Sequence, residues 1–251
     1  MFRGYREGNC EVRTASGILV VLAFTILKLS PSADPPPVTA PGFPRVFSKV
    51  HNTETNQVEQ LEFKQLRKDF WETGDGTIDY RNLIFDATFS GGAVLAKVVF
   101  RSYGKDVHAH LAARRMAPQL YGTSDVQGPA TVVIMELLKG GWMTLFDYRN
   151  NKYRSGIPGG SKERLLKRLE EMLDCLEAGK MVHGDFRMAN IMVKPGKEEN
   201  AMLIDFDWAG GAEEAKYPVT RSHGFGYPGC AGGIIGAGHD RELYEKWKDQ
   251  I

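Results

Sequence analysis

The chain has 251 residues, of which 42% are hydrophobic and 10% aromatic, so it is long and apolar enough to bury a substantial core. Its 32 basic and 31 acidic residues leave a formal charge of +1, which argues against nucleic acid or an anionic membrane as the main partner. The three cysteines are widely separated, which excludes a paired metal-type spacing and favours a reducing compartment over a disulfide scaffold.

Residues 1–44 are predicted to be an N-terminal extension followed by a linker. Residues 17–27 form an unbroken apolar run that is too short for a membrane span, which needs about 20 apolar residues. The run has two interpretations, a buried strand or helix and the core of a signal or anchor, and both stay open. Six prolines within residues 30–44 predict an extended surface linker. The expected location is cytoplasmic or nuclear, unless residues 17–27 direct the chain elsewhere.

Residues 45–138 are predicted to form a small mixed lobe. Alternating apolar residues, glycine pairs and a proline stop give the order strand, strand, helix, strand, after a turn at Gly74-Asp75-Gly76. The elements are a hairpin at 82–100 that turns at Gly91-Gly92, a helix at 106–116 stopped by Pro118, and a strand at 131–138.

Residues 139–251 are predicted to be helical in character. Leucine and methionine side chains share one face of a helix at 161–178, with Ser161 as a candidate N-cap and Gly179 just past its end. This helix leads into His183-Gly184-Asp185, and a short strand at 202–204 leads into Asp205. The loop with Asp185 therefore follows a predicted helix, and Asp205 follows a predicted strand.

Three polar residues in this half of the chain indicate the type of reaction. Asp185 and Asn190 lie five positions apart in HGDFRMAN, and Asp205 follows an apolar strand. Phosphoryl transfer needs a carboxylate for the acceptor hydroxyl, oxygen ligands for Mg²⁺ and a cation on the phosphates. The two elements in this order indicate that chemistry. The alternative is that His183 and Asp185 only hydrogen-bond a tight turn.

The stretches HGDFRMANIMV and LIDFDWAG resemble the protein kinase-like superfamily. The HGD form is more similar to its aminoglycoside phosphotransferase, choline kinase and lipopolysaccharide kinase branches, and the stretch also resembles kinase-like proteins of fungi. The resemblance implies an α+β, two-lobed fold with an antiparallel-sheet N-lobe and a shortened helical C-lobe. It implies these roles: Asp185 as catalytic base, Arg187 near the transferred phosphate, and Asn190 and Asp205 as metal ligands.

Lys97 lies in an apolar strand, where a lysine needs an anionic partner unless it faces solvent at a sheet edge. It resembles the kinase lysine that holds nucleotide phosphates. Asp106 would then replace the glutamate that usually pairs with this lysine. Two alternatives stay open: His108 or His110 faces the same way, and Asp106 is an ordinary carboxylate at a helix N-terminus.

Two further acidic residues take expected roles from the resemblance. Glu136 falls at the implied connection between lobes, where the backbone would bind adenine, so we group it with the nucleotide-binding residues. Asp240 is a natural N-cap for a helix at 241–248, and in kinases an aspartate in a similar position braces the catalytic loop.

Several residues depart from the kinase pattern. No glycine-rich phosphate loop precedes Lys97, and Asp207 stands where a glycine is usual, which adds a further candidate metal ligand. The run 224–229 matches a dinucleotide fingerprint by letter only, because no strand and helix flank it. It is better interpreted as a mobile loop that covers or receives substrate.

The sequence therefore predicts an ATP- and Mg²⁺-dependent phosphotransferase. Its expected partners are a nucleotide and a hydroxyl acceptor on a protein or a small molecule, with no nucleic acid and no membrane span. The alternative is a pseudokinase that acts as a binding or scaffold module. The sequence sets neither the acceptor nor the oligomeric state.

Overall fold

This computed structural model describes residues 50–53, 55–67, 83–100, 102–125, 130–150, 157–221 and 226–251. All of them belong to one compact unit, Val38–Ile251. The apolar run at 17–27, the linker with its boundary at residue 44, and the turn at 74–76 lie outside the described residues.

The first half of the described chain forms a seven-stranded antiparallel sheet. Its order across the sheet is β2-β1-β6-β7-β5-β4-β3. The strands are β1 (Val50–Asn52), β2 (Val58–Glu59), β3 (Leu61–Leu66), β4 (Leu83–Phe89), β5 (Gly92–Val99), β6 (Leu120–Asp125) and β7 (Thr131–Glu136).

The predicted hairpin is β4 and β5, but its turn lies one residue earlier than expected. Phe89 pairs with Gly92, so the two turn residues are Ser90 and Gly91, and both have positive φ values of 48° and 75°. Two positive φ values in succession are the geometry of a two-residue type I′ turn. Gly92 is instead the first residue of β5.

Strand β5 lies between β4 and β7, so it is not a sheet edge. Its side chains alternate between two apolar clusters. Val94, Ala96 and Val98 pack in one, while Leu95 and Val99 pack in the other. By alternation, Lys97 projects on the same side as Leu95 and Val99.

In the described part of the chain, four α-helices follow or interrupt the sheet: α1 (Lys105–Ala112), α2 (Leu145–Asn150), α3 (Gly159–Ala178) and α4 (His239–Trp247). The prediction that α1 continues to residue 116 is wrong, since the chain turns out of the helix before Arg115, whose φ is +57°. Helix α3 buries its predicted leucine and methionine face in a core shared with α1 and with residues of the second half.

Two predicted helix caps are also wrong. Helix α3 begins at Gly159 with Pro158 in the N-cap position, so Ser161 lies inside the first turn. Helix α4 begins at His239 after Gly238, so Asp240 is a residue of the helix rather than its cap. Pro158 has an extended ψ of 141°, which ends the preceding loop, and the lack of an N–H there leaves no helical hydrogen bond unmade.

Short strands complete the second half. They are β8 (Met143–Thr144), β9 (Met181–Val182), β10 (Ile191–Val193), β11 (Met202–Leu203) and β12 (Gly210–Gly211). Strands β11, β10 and β8 form one small sheet, and β12 pairs with β9. The fold class is therefore mixed α and β, with a sheet-rich first half. Within the described ranges, every helix is too short or too polar to cross a membrane.

Candidate active site

The loop after β9 has a geometry that only glycine supports. Gly184 has a φ of +81°, and a Cβ there would lie 2.6 Å from Cδ1 of Ile235. A side chain would therefore be strained by its backbone and would also collide with a buried neighbour. Asp185 follows this turn and is 5% exposed.

Side chains of α4 hold the same loop in place through hydrogen bonds to its backbone. The two carboxylate oxygens of Asp240 accept hydrogen bonds from the backbone nitrogens of His183, at 2.6 Å, and Gly184, at 2.8 Å. Trp247 Nε1 donates to the carbonyl oxygen of Phe186 at 3.0 Å. The bracing role that the resemblance implied for Asp240 thus has a direct geometric counterpart.

His183 also links the loop to the strand end that carries Asp205. Its Nε2 lies 3.0 Å from the carbonyl oxygen of Ile204, and its Nδ1 lies 3.3 Å from the backbone nitrogen of Asp185. Since a carbonyl can only accept and a backbone N–H can only donate, these two contacts join His183 to both elements of the site.

Asp185 has hydrogen-bond donors at both carboxylate oxygens. Oδ2 accepts from Arg187 Nε at 2.9 Å and from Asn190 Nδ2 at 2.8 Å. Oδ1 accepts from the hydroxyl of Tyr227 at 2.6 Å. The buried charge is therefore paired with an arginine and oriented by neutral donors.

A β-hairpin brings Asn190 and Asp205 together. Ile191 of β10 pairs with Leu203 of β11, and the Ile204 nitrogen donates to the Asn190 carbonyl oxygen at 2.9 Å. Asn190 and Asp205 therefore sit at the same end of one hairpin. Asn190 turns its Nδ2 toward Asp185, at 3.0 Å from its carbonyl oxygen, which directs Oδ1 away from that residue.

Lys97 reaches this hairpin end from the large sheet. Its Nζ lies 2.6 Å from Oδ1 of Asp205 and 2.6 Å from Oδ1 of Asp207, and the lysine is 5% exposed. The expectation of an anionic partner is confirmed, and the edge-lysine alternative is wrong because β5 is a central strand. Asp205 holds a φ of +69°, a conformation that costs a non-glycine residue about 1 kcal/mol or more.

The three charges of this cluster perturb one another. Burial lowers the pKa of Lys97, but the Asp205 and Asp207 carboxylates outweigh burial and hold that pKa above its ordinary value. Burial raises the pKa of Asp205, but the Lys97 charge outweighs it and lowers that pKa. Burial, together with the Asp205 charge, raises the pKa of Asp207 to about 6. Two carboxylates thus share one ammonium, which leaves the cluster negative once Asp207 is ionised.

Phe206, between the two aspartates, packs under α1. Its ring stacks on His108 at 4.5 Å, and His108 bonds Tyr103 Oη at 2.7 Å and the Pro118 carbonyl at 2.8 Å. Burial lowers the pKa of His108 to about 4. A neutral histidine of α1, rather than an acid, therefore faces this cluster.

Two predicted nucleotide-binding residues do not join the cluster. Asp106 is exposed on α1, and the ion pairs of Lys97 go to Asp205 and Asp207, so the predicted Lys97–Asp106 pair is wrong. The helix turns that carboxylate to solvent, which suits the N-terminal alternative. Glu136 Oε2 instead accepts from the Gln119 nitrogen at 3.1 Å and holds the end of β7 to the chain before β6.

Tyr227 is a site residue that sequence reasoning did not single out. It lies in the glycine-rich run 224–229, whose residues 224 and 225 are outside the described part. No helix starts between Gly226 and Gly238, and the next begins at His239, so the dinucleotide reading has no support there. The sequence motifs contain Asn190, Arg187 and Asp205, which are the partners of Asp185 and Lys97. No sequence pattern marks Tyr227.

One groove among the described residues lies apart from this cluster. It has a volume of about 480 Å³, and its lining includes His110 of α1, Arg114 just after that helix and Cys175 of α3. Its lining includes neither Asp185 nor Asp205. This groove is therefore separate from the polar cluster.

The polar cluster offers oxygen ligands but few of them. In the described part of the chain, no group of three or more His, Cys, Asp or Glu side chains is arranged to hold a metal. Asp205 and Asn190 are a carboxylate and an amide at one hairpin end. Mg²⁺ commonly takes one or two protein oxygens and completes its shell with substrate phosphates and water, so these two residues fit that ion.

Comparisons with known proteins give likenesses in structure but none in sequence. No known protein family and no curated protein matches the sequence. The chain is similar to the solved kinase PK-1 of Cydia pomonella granulovirus, with 17% identity, a TM-score of 0.45, and coverage of 57% of this chain and 55% of the viral one. The chain thus spans about half the length of that structure. So distant a likeness is no basis for assigning an activity.

Proposed function

We propose that the chain is a protein-kinase-like phosphotransferase with two lobes, the sheet of β1–β7 and the helical second half. It moves the γ-phosphoryl group of a nucleoside triphosphate, expected to be ATP, to a hydroxyl acceptor. Asp185 is the base, Arg187 neutralises charge on the transferred phosphate, Lys97 holds nucleotide phosphates, and Asn190 and Asp205 bind Mg²⁺.

One observation supports this proposal most. Three polar elements meet: the Asp185 loop, the hairpin end with Asn190 and Asp205, and the sheet lysine Lys97, which precedes Asp205 by 108 residues. Phosphoryl transfer depends on positioning and on electrostatic stabilisation more than on covalent chemistry by the protein. A base, oxygen ligands and a cation in one region meet those needs.

The residues divide the work by their contacts. Asp185 is oriented by Arg187 and Asn190, so its remaining oxygen Oδ1 can accept the proton of an acceptor hydroxyl. When bound, Mg²⁺ would neutralise charge on the phosphate oxygens. Lys97 would exchange one of its two carboxylate contacts for a phosphate oxygen, which it would bind as a point charge.

The acceptor is a hydroxyl group of a protein or of a small molecule, and the near-zero net charge favours no polyanionic partner. Nothing in the contacts of Asp185 selects between these acceptors. Both leave the same chemistry to Oδ1.

A second candidate function is a nucleotide-binding module without turnover. The observation that favours it is the Tyr227 hydroxyl on Asp185 Oδ1, where an external acceptor would have to bind. In this case the chain would bind the nucleotide, while the Tyr227 hydroxyl would stay on Asp185 and exclude an acceptor.

Asp185→Asn separates the two candidates when phosphoryl transfer and nucleotide binding are both measured. Removing a general base typically lowers the rate by about 10²–10⁴-fold. We expect such a loss of Asp185→Asn turnover of γ-labelled ATP, with the Mg²⁺–ATP thermal shift retained. A ligand at 100 times its dissociation constant stabilises by about 2.7 kcal/mol, which a thermal shift detects.

The matched control is Asp249→Asn, the same change at an exposed residue near the C-terminus. It should leave both turnover and the thermal shift as in the unmodified chain. Binding without turnover in the unmodified chain supports the non-catalytic module. Turnover that survives Asp185→Asn intact contradicts the role of this residue as base.

A further inference from the structure

The Tyr227 hydroxyl occupies the position that an acceptor hydroxyl needs. It donates to Oδ1 of Asp185 at 2.6 Å, while Oδ2 is taken by Arg187 and Asn190. A general base must lie within about 2.6–3.2 Å of the oxygen whose proton it removes. Tyr227 meets that distance with a phenol, which is a chemically competent phosphoryl acceptor.

Aromatic packing fixes the ring of Tyr227 in this position. Its centroid lies 5.4 Å from that of Trp208 and 5.6 Å from that of Tyr217. The guanidinium carbon of Arg221 lies 4.9 Å from the Tyr227 centroid and 4.6 Å from the Tyr217 centroid. Aromatic pairs at such distances attract one another, as does a guanidinium over a ring, so several neighbours hold the ring that carries the hydroxyl.

Trp208 also ties Tyr227 to the proposed phosphate side of the site. It stands one residue after Asp207 and three after Asp205, the partners of Lys97. The ring that carries the hydroxyl thus packs directly on the segment that follows the proposed metal ligand. Tyr227, which carries the proposed acceptor oxygen, therefore contacts both Asp185 and Trp208, and Trp208 follows the two partners of Lys97 in sequence.

We infer that Tyr227 is an intramolecular phosphoryl acceptor, and this inference rests on the proposed function. The Tyr227 oxygen forms a bond to the γ-phosphorus of the nucleoside triphosphate. The bond from that phosphorus to the β,γ-bridging oxygen breaks, and the nucleoside diphosphate leaves with the electron pair. The phenol proton passes to Oδ1 of Asp185.

Arg221 provides a place for the product. Its Nε and Nη1 are buried and have no hydrogen-bond partner in the described part of the chain, and its guanidinium already lies over the Tyr227 ring. A phosphotyrosine carries about −1.5 to −2 charges and accepts charge-assisted hydrogen bonds from arginine. The same charge repels Asp185, so the modified side chain would leave the base free.

The test incubates the full chain with Mg²⁺ and γ-labelled ATP and maps the label by mass spectrometry. We expect one phosphate on Tyr227, with a rate constant that is unchanged over a 30-fold range of protein concentration. Tyr227→Phe should lower labelling at least 10-fold. Tyr244→Phe is the matched control, because its buried hydroxyl has no hydrogen-bond partner among described residues, and it should label normally.

The other outcomes overturn the inference in distinguishable ways. A rate that rises with protein concentration contradicts transfer within one chain. If Tyr227→Phe increases Asp185-dependent ATP turnover and no label reaches Tyr227, this residue is only a barrier and the proposed function stands. If neither the unmodified chain nor Tyr227→Phe is stabilised by Mg²⁺–ATP, both the inference and the proposed function fail.

Discussion

Asp185 and the pair of Asp205 and Asp207 are stabilised in opposite ways. Asp185 is 5% exposed and receives donors at both oxygens, one of them from an arginine, so its charge is balanced within the protein. Asp205 and Asp207 share the single ammonium of Lys97 and remain negative as a group. The first arrangement suits a base that must be oriented, and the second suits residues that bind a cation. Variants that alter one of these two sites at a time can test this difference.

Lys97→Met should have the largest effect on stability, because it leaves two carboxylates at the sheet without their cation. Removing one partner of a buried ion pair destabilises by about 3–5 kcal/mol. We expect about 3 kcal/mol in urea unfolding, since the Asp205 side chain is 33% exposed. Lys105→Met, at an exposed position of α1, should change the free energy of unfolding by less than about 0.5 kcal/mol.

Adding Asp207→Asn to Lys97→Met sharpens this test. It removes one of the two unpaired carboxylates, so the double variant should regain about 1 kcal/mol or more relative to Lys97→Met. A single-variant loss below about 1 kcal/mol would contradict the description of this cluster as an ion-pair group.

Asp240→Asn should have the next largest effect, on the loop that carries Asp185. An amide can accept from only one of the two backbone N–H groups and turns its own NH₂ toward the other. An unsatisfied buried donor costs about 1–3 kcal/mol, so we expect a loss of about 2 kcal/mol in chemical denaturation. Glu242→Gln on the same helix is the exposed comparison and should be nearly neutral. Equal effects of the two changes would contradict the bracing role.

Acidification should reveal His108 beneath the second cluster. Its pKa is lowered to about 4 when folded, against about 6.5 unfolded, so the unfolded chain binds more protons between these values and stability falls as the pH drops. Between pH 7 and pH 5 this contribution is about 2 kcal/mol.

Asp207 works in the opposite direction over the same range, because its pKa is raised to about 6 when folded and stability from this group rises as the pH drops. The measurement is therefore the difference in unfolding free energy between the unmodified chain and His108→Gln at each pH. That difference should shrink by about 2 kcal/mol from pH 7 to pH 5. A difference that is independent of pH would contradict a neutral buried histidine.

Local features of the site could be predicted from the sequence, and long-range ones could not. Asn190 and Asp205 are joined by the β10–β11 hairpin, and the resemblance to kinases had already grouped these two residues. Strand alternation likewise predicted the buried face of Lys97. Its partners depend on how the sheet packs on a hairpin more than 100 residues later, and no local pattern encodes that contact.

The mistaken predictions have similar causes. Asp106 matched an expected spacing, but the rotation of α1 presents His108 inward and Asp106 to solvent. Strand β6, with the sequence LYGTSD, has too few apolar residues for a strand pattern and forms through its neighbours β1 and β7. The position of Tyr227 arises from tertiary packing of Trp208, Tyr217 and Arg221.

Binding of Mn²⁺, used in place of Mg²⁺, tests the division between the two clusters most directly. With ATP present, electron paramagnetic resonance should show one tightly bound Mn²⁺ per chain. Asp205→Asn should abolish this signal, whereas Asp185→Asn should leave it in place. Mn²⁺ binding that is unchanged in Asp205→Asn, or lost in Asp185→Asn alone, would contradict the assignment of the cation to the Lys97 cluster.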